Sequence, residues 1–149
     1  VLGGGAGGPE LSRLFRDLRQ NTGLVYFVSS RISSGTSRSR LTIRFASAPS
    51  NVPRIESIID GDIAKMQTDP VGDEELALIK ASVVRRAVVA GGAVDAIGTS
   101  LLGYASEGMP LDQNRIDAER FLGTDANAVR AAFASYIKPA NFVRIIEGP

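Results

Sequence analysis

Leu11, Leu14, Phe15 and Leu18 fall at i, i+3, i+4 and i+7, the spacing of one face of a helix of about three turns. Gly8-Pro9 offers an entry, with proline at the first helical position, and Gly23 follows Asn21-Thr22 where a left-handed C-terminal cap belongs. From Leu24 to Ile32 the period shortens to two. This predicts a strand whose first half, apolar on both faces, is buried. "SSGTS" turns the chain, and Leu41, Ile43 and Phe45 then alternate with Arg40, Thr42 and Arg44, a second strand with one wet face and hence a hairpin.

After Pro49 the period returns to helical. Val52, Ile55, Ile58, Ile59, Ile63 and Met66 form one stripe, Asn51 is the candidate cap, and Asp69-Pro70 ends the helix. Asp73, Glu74 and Glu75 place negative charge on the first turn of the next, where the macrodipole favours it, and Leu76, Ile79 and Val83 continue its apolar face towards a break at Gly91-Gly92. A further helix is expected with Val94, Ile97, Leu101 and Leu102 inward, ending at Gly108-Met109-Pro110. Asp112 can cap a short helix containing Ile116 and Phe121, and Thr124 one whose buried side is Val129, Phe133, Tyr136 and Ile137. "NFVRIIEG" reads as a closing strand.

Helix, two strands, several helices and a last strand do not alternate as a parallel βαβ sheet requires. The fold class is therefore α+β, an antiparallel sheet with helices packed on one face, in a single domain spanning residues 1–149. The sheet is short of strands for so many helices, which predicts that a partner supplies more or that part of the domain precedes Val1.

At 149 residues and 15.7 kDa one core suffices. The absence of cysteine and histidine removes thiol chemistry, the Ser-His-Asp triad, and the usual zinc ligands and general base. No apolar run approaches the ~18 residues of a membrane span. Charge is uneven. Residues 1–50 hold seven Arg against Glu10 and Asp17, whereas the remainder is net acidic, although the whole chain carries only +1. An anionic partner would suit the first part, and so would a solvated Arg-bearing sheet face.

"GGGAGG" matches Gly-x-Gly-x-x-Gly at Gly3, Gly5 and Gly8, but no βαβ unit surrounds it and "YFVSSR" stands where an acidic residue should meet a ribose. A nucleic-acid surface built from the arginines with Tyr26 and Phe27 lacks an ordered stacking platform, because those two alternate onto opposite faces. Asp60, Asp62, Asp69, Asp73, Glu74 and Glu75 lack calcium-loop spacing and read as solvated helix ends.

"LGGGAGG…SRLFRDLRQNTGLVY" resembles the second, non-catalytic repeat of the pitrilysin and insulin-degrading-enzyme-like zinc metallopeptidases, with a glycine loop, a Ser-Arg-Leu-Phe helix and an Arg-x-x-x-x-Gly-Leu-x-Tyr junction. "NVPRIESIID", "EELALIKASV", "GMPLD" and "VRAAFASYIKPANFVRIIEGP" extend the likeness over nearly the whole chain. The resemblance implies a C-terminal part of a non-catalytic domain that faces a catalytic one bearing His-x-x-Glu-His and zinc across a peptide cleft. It implies no catalytic residue and no metal or cofactor in this chain. Substrate contacts fall to Arg19 and Tyr26, and peptide reception to a loop like that of mitochondrial processing peptidase, here Gly3, Gly4, Gly5, Gly7 and Gly8. The family's frequent Arg-Glu-Lys reads Arg19-Gln20-Asn21 here.

These roles suit the side chains: Arg19 offers charge-assisted donors and Tyr26 a hydroxyl to a carbonyl becoming an oxyanion, while a sheet edge pairs with an extended peptide. The implied partners are a catalytic zinc-peptidase domain or subunit, a peptide and a second copy of the chain, with no nucleic acid. The implied place is the periplasm or cell envelope. The alternative from another class is a structural subunit like the core proteins of the respiratory cytochrome bc complex.

Overall fold

The computed structural model describes Leu2 and residues 12–34, 38–90 and 94–148. Helix α1 (Arg13–Phe15) runs directly into a π-helical turn (Arg16–Gln20), and strands β1 (Phe27–Ser34) and β2 (Ser39–Ala46) pair antiparallel from Phe27↔Ala46 to Ser34↔Ser39. A short 3-10 turn (Pro49–Asn51) leads into α2 (Val52–Thr68). Then follow α3 (Asp73–Ala90), α4 (Val94–Ser106), α5 (Gln113–Gly123), α6 (Ala126–Tyr136) and a second 3-10 turn (Pro139–Asn141). The fold is α+β.

The core forms where the inner row of the hairpin meets the first two helices. Leu14 and Leu18 are buried with Ile55, Ile59, Ile63 and Met66 of α2, and Val25, Val28, Leu2 and Val71 close the cluster. Each such side chain contributes roughly 1.5–3 kcal/mol when fully withdrawn from water. Leu41, Ile43 and Phe45 pack half-buried against it from β2, and Val129, Phe133 and Ile137 from α6. Gln67 ties α6 to α2 by donating to the Ile137 carbonyl at 2.6 Å.

Several local expectations change. The helix entry at Gly8-Pro9, Leu11 and the Gly91-Gly92 break lie outside the described residues, and Ser12 caps α1 by accepting from the Phe15 amide. At the start of the strand Val25 and Val28 are buried as expected, whereas Tyr26 and Phe27 are exposed. The α6 cap is Asp125, which accepts from Ala128 N–H at 2.7 Å, one residue beyond Thr124. Neither Asn51 nor Asp112 caps with its side chain. Asn51 donates to the Leu24 carbonyl, and Asp112 accepts from Arg115. Ile97, Leu101, Leu102 and Tyr136 point to solvent rather than inward.

The closing strand is absent. Residues 142–148 run without a ladder and join neither outer edge of the two-stranded hairpin. Arg144 fastens this segment to α2 through Asp60 at 3.1 Å and Glu56 at 3.5 Å, and Val143, Ile145 and Ile146 stand exposed.

Candidate functional site

The junction between the π-helical turn and β1 is built from polar contacts around a glycine. Asn21 N–H bonds the Arg16 carbonyl at 2.8 Å, and Thr22 Oγ1 donates to the carbonyls of Asp17 (2.9 Å) and Leu18 (3.0 Å), so the carbonyls that the helix end orphans find partners. Gly23 takes φ +63°, which an L side chain rarely adopts, and Leu24 N–H reaches back to the Leu18 carbonyl at 2.9 Å. The strand is thereby folded back beside the helix.

Through this fold-back Arg19 reaches the backbone of the residue before Tyr26. Arg19 Nη1 donates to the Val25 carbonyl at 2.7 Å, and the next residue, Tyr26, is held by its amide bond to the Ala46 carbonyl at 2.8 Å. The Tyr26 side chain is 75% exposed. Arg19 is a backbone clamp as well as an exposed cation, a role that sequence spacing did not reveal.

The candidate glycines Gly3, Gly4, Gly5, Gly7 and Gly8 lie outside the described residues. On either side of them, Leu2 is buried and its carbonyl accepts from Ser12 Oγ (3.1 Å) and Leu14 N–H (3.0 Å). Arg31, Arg40 and Arg44 are exposed in alternate positions of the hairpin, so the local excess of positive charge is a solvated sheet face.

Beneath the junction lies a polar cluster. Asp62 was expected to be a solvated helix end; it is instead 3% exposed in the middle of α2. It follows Ile59 by three positions and precedes Met66 by four, which is the buried stripe, so the helical period alone could have found it. Its carboxyl is within hydrogen-bonding reach of Asp17 on the π-helical turn, and its Oδ2 has no donor. Asp17 Oδ1 in turn accepts from Asn21 Nδ2 at 3.0 Å and Arg16 Nε at 3.2 Å.

Arg13 closes the cluster from α1 with a two-pronged bond to Glu75 of α3, at 3.1 and 2.9 Å. That bond raises the Arg13 pKa above its usual value. Burial first, and then the charge and hydrogen bond of Asp17, push the Asp62 carboxyl up to about 6, against the pull of Lys65 and Arg13.

The donor set does not fit zinc. The chain has no histidine or cysteine, and no three carboxylates converge to hold a metal among the described residues. Nor is any helix of the described residues long and apolar enough to cross a membrane.

The model of the peptidase M16 inactive domain matches residues 1–83, the segment that holds the junction, the hairpin and α2. The chain belongs to this family. A peptidase M16 inactive domain from Pseudomonas fluorescens has the same fold, with a TM-score of 0.77 at 20% identity over 93% of this chain and 32% of that one. The periplasmic protease PqqL from Escherichia coli is similar at a TM-score of 0.69 and 17% identity, over 89% of this chain and 15% of that one. The chain thus spans about a third or less of the solved chains it resembles. No curated protein sequence matches it.

Proposed function

We propose that this chain is part of a non-catalytic half of a peptide-processing assembly, in which Arg19 and Tyr26 contact substrate opposite a zinc-bearing domain. The observation that carries the reading is the Arg19 bond to the Val25 carbonyl, which couples the cation to the residue that presents the exposed Tyr26 ring. From that position the Tyr26 hydroxyl can donate to a carbonyl oxygen gaining negative charge, and the remaining Arg19 N–H groups can donate to a peptide carbonyl or carboxylate. The glycine loop, Gly3 to Gly8, would receive the peptide. Zinc and water activation belong to the partner, because this chain has no ligands to hold the metal. Family membership and the periplasmic relative support a cell-envelope setting.

The test is turnover of a set of unstructured peptides by the complete protein or by this chain combined with the zinc-bearing domain. Tyr26→Phe is expected to lower turnover while the fold is retained, and full turnover on every peptide would remove Tyr26 from the cleft. A second reading, a structural subunit without a proteolytic role, is favoured by one observation: Arg19 commits a donor to its own backbone. Peptide binding that persists when the catalytic domain is inactivated would exclude that reading.

A further inference from the structure

A carboxylate oxygen withdrawn from water needs a donor, and the one facing Asp62 is missing. Asp62 Oδ2 is the buried side-chain oxygen without a partner among the described residues, and the group within reach is another carboxyl, Asp17. Two ionised carboxylates in contact repel and neither can donate, whereas one proton between them supplies the missing bond. The cations nearby do not replace it: Arg13 is engaged by both oxygens of Glu75 from α3, and Lys65 acts on Asp62 from the same helix through its charge, without a hydrogen bond.

We infer that Asp62 and Asp17 share one proton, and that this bond is the joint by which α2 holds the helix that carries Arg19. Asp62 is a positioning residue. It touches no substrate, but it fixes the π-helical turn between Arg16 and Gln20, and through Arg19 and Val25 the entry to β1 at Tyr26. The inference about the joint stands on the burial of Asp62 and its unpartnered oxygen beside Asp17; its consequence for peptides rests on the function proposed above.

The direction with pH follows from the raised value. Asp62 titrates near 6 in the fold against an ordinary 3.8, so the contribution of the joint is complete below the ordinary value and is lost as pH rises through about 6. Above that pH the proton leaves, the carboxylates repel, and the helix end loosens from α2.

The experiment compares the full chain with Asp62→Asn, whose amide donates to Asp17 at every pH, and with Asp17→Asn, which supplies the donor from the other side. Melting temperature and amide hydrogen exchange are measured at about pH 5 and about pH 7.5, with exchange corrected for its intrinsic pH dependence. The wild type is expected to melt lower at the higher pH and to lose protection selectively over residues 13–26, several-fold more than over α6. Asp62→Asn is expected to flatten both dependences, and Asp17→Asn to reduce them, since burial still acts on Asp62.

A wild type with equal melting temperature and equal protection at both pH values overturns the joint, as does a folded Asn variant that keeps the wild-type slope. Should one variant fail to fold, the other and the wild-type exchange data still decide. Peptide binding followed alongside separates the two claims. Loss of the pH effect on exchange sinks the joint, whereas absent peptide binding with the pH effect intact sinks only the cleft role of Arg19 and Tyr26.

Discussion

Arg19 and Tyr26 share a junction but stand differently in the fold. Tyr26 is largely solvent-exposed, and its structural bond is made by its backbone amide. Tyr26→Phe should therefore change stability by no more than about 0.5 kcal/mol, so a drop in turnover would report the hydroxyl itself. Arg19→Ala also removes a charge-assisted bond to the Val25 carbonyl, whose kind contributes about 1.5–3 kcal/mol, so it should lower both stability and turnover. Arg19→Lys keeps a cation without the planar fork and should recover stability more than activity. Urea unfolding beside peptide kinetics checks all three. Equal losses of stability and turnover in Arg19→Lys would reduce Arg19 to a structural clamp.

The elements that hold the junction should respond to backbone and packing changes of distinct size. Leu14 is fully buried, and Leu14→Ala should cost about 2–5 kcal/mol in denaturant unfolding, with a wild-type value contradicting its place in the core. At Gly23 an added Cβ would meet nothing within 4 Å, so the strain of Gly23→Ala is that of φ +63° alone, about 1–2 kcal/mol, and Gly23→Asn should recover part of it. This cap, the hairpin and the α2 stripe were legible because their patterns are local: a glycine after a helix, a period of two, a period of 3.6. Asp62 was readable from the same period but hidden by its charge, since an acidic side chain is ordinarily taken for surface. The Arg19 bond to the Val25 carbonyl and the exposure of Leu102 and Tyr136 depend on where other elements lie, which spacing along the chain does not encode.

On the scale of the molecule, the C-terminal segment carries exposed apolar residues. Val143, Ile145 and Ile146 are all more than 70% exposed, on a segment with no ladder partner among the described residues, while Arg144 between them is fixed to Glu56 and Asp60 of α2. A segment rich in exposed β-branched side chains with free backbone groups is a template for strand addition. On the function proposed above, the zinc-bearing domain is the element that would cover it. Ile145→Lys should leave the melting transition of the chain unchanged, because Ile145 is largely exposed, yet weaken association with the zinc-bearing domain in sedimentation or calorimetry. Arg144→Ala should act in the same direction by releasing the segment, at a cost to the fold of at most about 1 kcal/mol, because its ion pairs are partly exposed. If both variants associate as the wild type does, the contact with the catalytic domain lies elsewhere, and the hairpin face bearing Arg31, Arg40 and Arg44 is the next surface to probe.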